Sequence, residues 1–188
     1  MPQLPPYDRD QLLELLRREA LEFGDFILAS GKKASFYLDC RNVTLDSRGA
    51  NLVAAGMLER LRRHESNWPD AVGGMAIGAD PITAAVITRA GLDGNAIKGF
   101  IVRKEAKGHG TGRSVEGPVS PGMNCVILED VVTSGGSSLR AIEQVRAFGM
   151  RVDGVLAIVD REAGGTEAFR EAGIPFDALF RLSEILPD

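Results

Sequence analysis

Residues 124–142 read NCVILEDVVTSGGSSLRAI, and their order predicts how the chain folds. Residues 125–128 form an apolar run without polar alternation, which is typical of a strand covered by helices on both faces of a parallel sheet. A turn-forming loop follows, and then a helical pattern from Ser137. The same alternation recurs after residue 70: strands at 71–77, 97–102 and 152–159, and helices at 81–90 and 166–172. The sequence therefore predicts an α/β fold.

The segment between this strand and its helix has the composition of a phosphate-binding loop. Glycines let backbone amides approach a phosphate closely, hydroxyls add donors, and the helix presents its positive N-terminal end. The segment is neither a Walker loop nor the Gly-x-Gly-x-x-Gly dinucleotide motif. The residues that we assign to this phosphate cradle are Val131, Val132, Thr133, Ser134, Gly135, Gly136 and Ser137.

Two acids, Glu129 and Asp130, come directly before the cradle. Paired carboxylates would hold sugar hydroxyls or a divalent metal ion, a task that a phosphate site alone does not require. Together the two features indicate a phosphorylated sugar as ligand. The structural alternative is that the acids merely end a strand and that Ser137 caps the helix.

A strongly basic segment follows the strand that ends at Val102. Residues 103–113 contain four basic side chains and one acidic side chain, hence a local charge of +3 in a chain whose total is −4. Long loops inside compact domains are usually functional or disordered. We expect a basic lid for a polyanionic ligand, and the alternative is a solvated loop with an ordinary charge run. The candidate ligand-binding residues of this lid are Arg103, Lys104, Lys107 and His109.

A third candidate site follows the strand that ends at Val159. Ligands of open α/β sheets bind beyond the carboxyl ends of the strands. Arg161 occupies such a position and would clamp a carboxylate through two hydrogen bonds. The alternative is a surface ion pair between Arg161 and Glu162.

The first part of the chain has a different pattern. Leucines at helical spacing predict a helix over residues 8–21, started by an Asp cap and ended by Gly24. A hairpin with Lys32 and Lys33 at its tip follows, and then a helix over residues 47–63. Pro69-Asp70 marks a boundary, so we divide the chain into residues 1–69 and residues 70–188.

Composition narrows the classes of function. The 188 residues are 44% hydrophobic and 26% charged, as in an ordinary globular protein. A net charge of −4 argues against nucleic-acid binding over the whole surface. Cys40 and Cys125 are too far apart in sequence for a close-spaced metal or redox pair, so we expect buried, reduced thiols. Neither a membrane span nor a secretory signal is apparent, which predicts a cytoplasmic protein.

These motifs carry a family resemblance. Residues 129–137, EDVVTSGGS, resemble the phosphoribosyl pyrophosphate (PRPP) motif of type I phosphoribosyltransferases. Residues 103–110, RKEAKGHG, resemble the lid of one group of these enzymes, the orotate phosphoribosyltransferases. Residues 23–26, FGDF, with residues 30–33, SGKK, and Tyr37 extend the similarity, which covers nearly the whole chain.

The resemblance implies a fold, a reaction and partners. The fold would be the type I phosphoribosyltransferase fold, in which residues 1–69 and the C-terminal segment form a small hood over the sheet. The reaction would move a ribose 5-phosphate unit from PRPP to orotate with the help of Mg²⁺. The enzyme would be a homodimer in which each lid completes the partner's active site. Rivals are a purine phosphoribosyltransferase and a PRPP-sensing regulator of the same fold.

The resemblance also assigns residues. Lys107 and Asp130 would be catalytic, and Thr133 and Arg161 would bind orotate. PRPP would contact Glu129, Asp130, the cradle, the basic lid and Lys33. Residues 74–81, GMAIGADP, resemble the family's pyrophosphate loop, but Ile77-Gly78 stand where many relatives have a Tyr-Lys pair.

Overall fold

The central feature of the molecule is a six-stranded sheet with strands in the order β5-β4-β3-β6-β7-β8. A computed structural model describes residues 4–27, 33–63, 68–104 and 114–187. All neighbouring strands of the sheet are parallel except β4 and β5, which are antiparallel. The strands are β3 (Ala71–Met75), β4 (Lys98–Val102), β5 (Val115–Glu116), β6 (Asn124–Val132), β7 (Arg151–Asp160) and β8 (Phe176–Arg181).

Helices cover both faces of this sheet, as the unbroken apolar strands predict. Two clusters of buried side chains lie on opposite faces: Leu128 and Leu156 belong to one, and Ile127 and Val155 to the other. Successive residues of a strand point to opposite faces, so β3, β6, β7 and β8 contribute to both clusters, whereas β4 and β5 contribute only to the second. The helices of the first cluster are α1 (Arg9–Leu15), α3 (Ser47–Arg62) and α4 (Ala79–Leu92), and those of the second are α5 (Gly136–Phe148) and α6 (Gly165–Glu171).

In the N-terminal part the two predicted helices and the two paired strands of the hairpin are confirmed, whereas the predicted hairpin tip with Lys32 lies outside the described residues. Asp8 caps α1 by accepting a hydrogen bond from the amide of Gln11. Next come a π-helical turn (Leu16–Ala20), a two-stranded antiparallel sheet of β1 (Leu21–Ile27) and β2 (Lys33–Leu38), and α2 (Arg41–Thr44). The prediction that Gly24 ends the helix is wrong. Leu21 already pairs with Leu38, and Gly24 lies inside β1.

Strand β6 is longer than the sequence predicts. It runs through Glu129 and Asp130 to Val132, because its pairing with β7 continues as far as Asp160. The acid pair is therefore part of the strand and does not merely follow it.

The C-terminal part of the chain adds two elements that the sequence analysis misses. Strand β8 pairs with β7, and a short helix α7 (Leu182–Ile185) follows it.

Cys40 and Cys125 are both buried free thiols, as expected. In the described part of the chain, no helix is both long and apolar enough to cross a bilayer.

Candidate active site

The phosphate cradle lies between β6 and α5. Gly135 precedes α5 with a φ of +77°, a left-handed conformation that glycine adopts without strain. No side chain in the described residues caps this helix, so its first amides keep hydrogen-bonding capacity for an anion. Phe169 of α6 packs behind the turn, where a Cβ on Gly135 would approach its ring to 3.1 Å.

Glu129 faces α5 and is held there by two hydroxyls. Ser138 Oγ donates to Glu129 Oε2 at 2.7 Å, and Ser137 Oγ donates to the same oxygen at 3.1 Å. The side chain is 5% exposed, and this burial raises the pKa of Glu129 to about 7. The two hydroxyls lower that pKa and the neighbouring Asp130 raises it. The alternative role of Ser137 as a helix cap is wrong, because Gly135 occupies the cap position.

Asp130 is the second acid of the pair, and its carboxylate lies close to both Glu129 and the turn after β3. Its Oδ1 accepts a hydrogen bond from the amide of Val131 at 2.8 Å. A Cβ at Gly78 would lie 2.8 Å from the Asp130 carboxylate, so only glycine fits there without displacing it. The turn after β3 thus packs directly against the acid.

Both acids line one cavity of about 340 Å³ at the carboxyl ends of β3 and β6. Parallel sheets bind ligands at this end. The lining combines segment 37–41, the turn after β3, the start of the lid, and the acid pair. Its residues are Tyr37, Leu38, Asp39, Cys40, Arg41, Met75, Ala76, Ile77, Gly78, Lys104, Glu129, Asp130, Val131 and Ser137.

An Asp39–Arg41 ion pair in this lining was missed by the sequence analysis. Arg41 Nε donates to Asp39 Oδ1 at 2.8 Å, and Nη2 donates to Oδ2 at 2.7 Å. The Arg41 guanidinium lowers the pKa of Asp39, whereas the Asp39 carboxylate, with smaller contributions from Tyr37 and Asp130, raises the pKa of Arg41. The Asp-x-Arg spacing was the available signal, but only the folded chain brings it next to β6.

Arg161 lies beside the cradle, near the predicted partner Thr133. Its amide donates to Val132 O at 2.8 Å, and its guanidinium lies over the ring of Phe36, 5.5 Å from the centroid. Glu162 instead accepts a hydrogen bond from the amide of Ser183. Arg161 therefore packs over an aromatic ring and does not pair with Glu162, so the alternative of an Arg161–Glu162 ion pair is wrong.

The other cations that the sequence predicts to bind ligand do not all line the cavity. Lys104 lines the cavity, whereas Arg103 lies beside it and pairs through Nε with Glu116 Oε1 at 2.5 Å. Lys33 is exposed at the start of β2 and is not among the described lining residues. Lys107 and His109 lie outside the described residues.

Fold and site define the class. A mainly parallel sheet whose strand β6 carries two acids into a Thr/Ser/Gly cradle is the architecture of a type I phosphoribosyltransferase. Comparison with known proteins then narrows the class to one family.

No family model matches the chain. It is, however, 56% identical over 175 residues to the orotate phosphoribosyltransferase of Rhodopirellula baltica, covering 92% of this chain and 91% of that protein. It is 43% identical over 182 residues to the Aquifex aeolicus orotate phosphoribosyltransferase, covering 95% and 98%. A crystal structure of Mycobacterium tuberculosis orotate phosphoribosyltransferase in complex with PRPP superimposes with a TM-score of 0.77 at 31% identity, covering 94% of this chain and 98% of that one. The chain belongs to the orotate phosphoribosyltransferase family.

Proposed function

We propose that this protein transfers the 5-phosphoribosyl group of PRPP to orotate, giving orotidine 5′-monophosphate and pyrophosphate in pyrimidine synthesis. The observation that carries this proposal is that the acid pair lines one cavity together with Val131 and Ser137 of the cradle, with Arg161 at the end of the neighbouring strand. Family membership supports orotate as the acceptor.

The reaction needs positioning and charge stabilisation more than a nucleophile from the protein. Departure of pyrophosphate leaves an oxocarbenium-like ribose, which must be shielded from water. Glu129 and Asp130 would accept hydrogen bonds from ribose hydroxyls. The amides of the cradle would hold the 5′-phosphate, since they lie at the positive end of α5. The Ser137 hydroxyl donates a hydrogen bond to Glu129, so the Ser137 amide is the group that would face the phosphate.

Cations would neutralise the departing pyrophosphate. In this proposal Lys107 is the catalytic cation of the lid, and Arg103, Lys104 and His109 add to it. Lys33 would reach PRPP from the hairpin. Lys104 supports the assignment because it already lines the cavity.

Mg²⁺ suits this cavity because its lining offers carboxylate oxygens, the donors that hard cations prefer. The described residues contain no cluster of three or more His, Cys, Asp or Glu side chains that could hold a metal ion. In this proposal PRPP itself would mainly hold the ion, and Glu129 and Asp130 are the lining carboxylates that would support it. When bound, it would supply positive charge to the leaving group.

Orotate would bind at the end of β7. Arg161 would clamp its carboxylate, and Thr133 would bond its ring. Phe36 lies under the Arg161 guanidinium, next to this proposed position of the base.

A cytoplasmic location stays a prediction from the sequence.

A product assay tests the reaction. Purified protein is incubated with PRPP, Mg²⁺ and, separately, orotate, uracil, adenine, guanine or hypoxanthine, and nucleotide products are separated by chromatography. Of the five bases, only orotate is expected to give a nucleotide product. Product with a purine base would establish the purine rival, and PRPP binding without any transfer would favour the regulator.

We also propose a homodimer with lids shared between subunits. Lys107→Ala damages only the lid and Asp130→Asn damages only the acid pair, so each homodimer should be nearly inactive. Unfolding and refolding an equal mixture makes half the dimers mixed, each with one intact site, and activity should recover to about a quarter of wild type. Mixed dimers that form without regaining activity would mean that each lid serves its own subunit.

A further inference from the structure

Arg41, the first residue of α2, lines the cavity beside Asp130 but belongs to neither the cradle nor the lid. Its side chain is half exposed, and Asp39 is its bonded partner in the described part of the chain. A guanidinium has five N–H donors in a rigid plane. Asp39 engages Nε and one N–H of Nη2, which fixes the plane and leaves three donors for a ligand.

The described lining of the cavity is short of positive charge for a polyanionic ligand. It contains three carboxylates, Asp39, Glu129 and Asp130, against two cations, Arg41 and Lys104. The turn after β3 adds no charge: it presents Ala76, the 70% exposed Ile77, and Gly78. An anionic group resting on that turn must take its cation from another element.

We propose that Arg41 binds the diphosphate of PRPP over the uncharged turn after β3. The inference rests on the proposed function, because PRPP supplies the diphosphate. Arginine forks match phosphate oxygens through paired hydrogen bonds, and a fork already fixed by a carboxylate loses little freedom on binding. Arg41 interacts electrostatically with Asp130, whereas the cradle, residues 131–137, would bind the phosphate at the other end of the ligand.

The test compares four ligands in forward and reverse reactions of Arg41→Gln. PRPP and pyrophosphate carry the diphosphate, PRPP and orotidine 5′-monophosphate carry the 5′-phosphate, and orotate carries neither. Loss of a charged contact should raise the KM for PRPP and for pyrophosphate about tenfold to a hundredfold. The KM values for orotate and orotidine 5′-monophosphate should stay within about twofold of wild type. Arg41→Lys, which keeps the charge but not the fork, should fall between wild type and Arg41→Gln.

Two controls separate a contact from a side effect. Arg63 is similarly exposed, at 57% against 50% for Arg41, and pairs with Glu59 at 2.8 Å. Neither partner lines the cavity, so Arg63→Gln should leave all four KM values unchanged. The double variant Asp39→Asn with Arg41→Gln removes the carboxylate that Arg41→Gln leaves unpaired. It should remain as impaired as Arg41→Gln.

Each other outcome overturns the proposal. KM values raised only for PRPP and orotidine 5′-monophosphate would place Arg41 at the 5′-phosphate. KM values raised only for orotate and orotidine 5′-monophosphate would place it at the base. Recovery in the double variant would mean that the unpaired Asp39 charge caused the loss. Unchanged values, or a collapsed thermal melt with normal kinetics in the folded fraction, would leave Arg41 no binding role. If wild type binds PRPP calorimetrically but turns over no orotate, the proposed function fails, and calorimetry of PRPP and pyrophosphate with Arg41→Gln still decides the role of Arg41.

Discussion

The two ends of the central sheet each carry a cavity, and the larger one is not the candidate active site. The cavity at the amino ends of β6, β7 and β8 measures about 500 Å³, against about 340 Å³ at the carboxyl ends. At the amino ends, Asp177 pairs with Arg60 at 3.2 Å, and Asp153 accepts a hydrogen bond from Asn124 at 2.7 Å. In the described part of the chain, neither Glu129 nor Asp130 at the other end has an ion-pair partner.

The difference shows what a carboxylate is for in each place. At the amino ends the fold accounts for the charge of Asp177, because Arg60 pairs with it. A carboxylate that is buried without a cation costs stability, and such groups cluster at functional sites. Unpaired charge, and not cavity size, therefore identifies the working end of this sheet.

The sharpest test of this contrast exchanges one carboxylate at each end for its amide. Asp130→Asn should lower kcat/KM for PRPP by about 10² to 10³, because it removes a charge that stabilises the reacting ribose. Asp177→Asn is the matched control, because Asp177 also accepts a hydrogen bond from the next amide, and it should leave steady-state kinetics within about twofold of wild type, since it weakens a partly exposed ion pair at the other end of the sheet.

Thermal melts of both variants complete that test. Each should unfold within a few degrees of wild type. A collapsed melt for Asp130→Asn, with normal kinetics in the protein that remains folded, would make Asp130 a structural residue and remove the contrast between the two ends.

Within the working end, Arg161 should serve the base and not PRPP. Loss of a charge-assisted contact of roughly 1.5 to 3 kcal/mol should weaken orotate binding by between ten and a few hundredfold in Arg161→Ala. PRPP binding to the free enzyme, measured by calorimetry, should barely change. Arg170 is exposed on α6, and Arg170→Ala provides the control. Equal losses for both ligands would remove Arg161 from the orotate site.

The sequence predicts the parallel sheet and the cradle because their causes are local. The apolar run of β6, the glycines after it and the capped start of α1 act over a few residues each. Two errors arise where pairing between strands overrides local preference. Gly24 lies in β1 because β1 pairs with β2, and the acid pair lies inside β6 because β7 extends the ladder.

The rest of the site depends on tertiary packing, which a single sequence does not reveal. Arg41 and Asp130 are far apart along the chain, and only the packing of the N-terminal helices on the sheet brings them to one cavity. Ser138 holds Glu129 because α5 returns across the end of β6. Sequence reasoning assigned Ser137 to phosphate, and its bond to Glu129 becomes visible only in the fold.

Glu129 provides the last test. Function requires its buried carboxylate, and burying that charge should lower the free energy of unfolding. Burial raises the pKa of Glu129 from 4.5 to about 7 in the folded protein, so below pH 7 the folded state binds a proton that the unfolded chain does not bind until about pH 4.5. Stability from this group therefore increases as pH falls from 8 to 5. Glu129→Gln has no charge to bury, so it should be more stable than wild type at pH 8 by roughly 2 kcal/mol, and the difference should vanish near pH 5. Denaturant unfolding of both proteins at pH 5, 6, 7 and 8 measures it, while PRPP turnover of Glu129→Gln should fall at every pH. A stability difference that does not change with pH would mean that Glu129 titrates normally and that its burial is not what sets the working end apart.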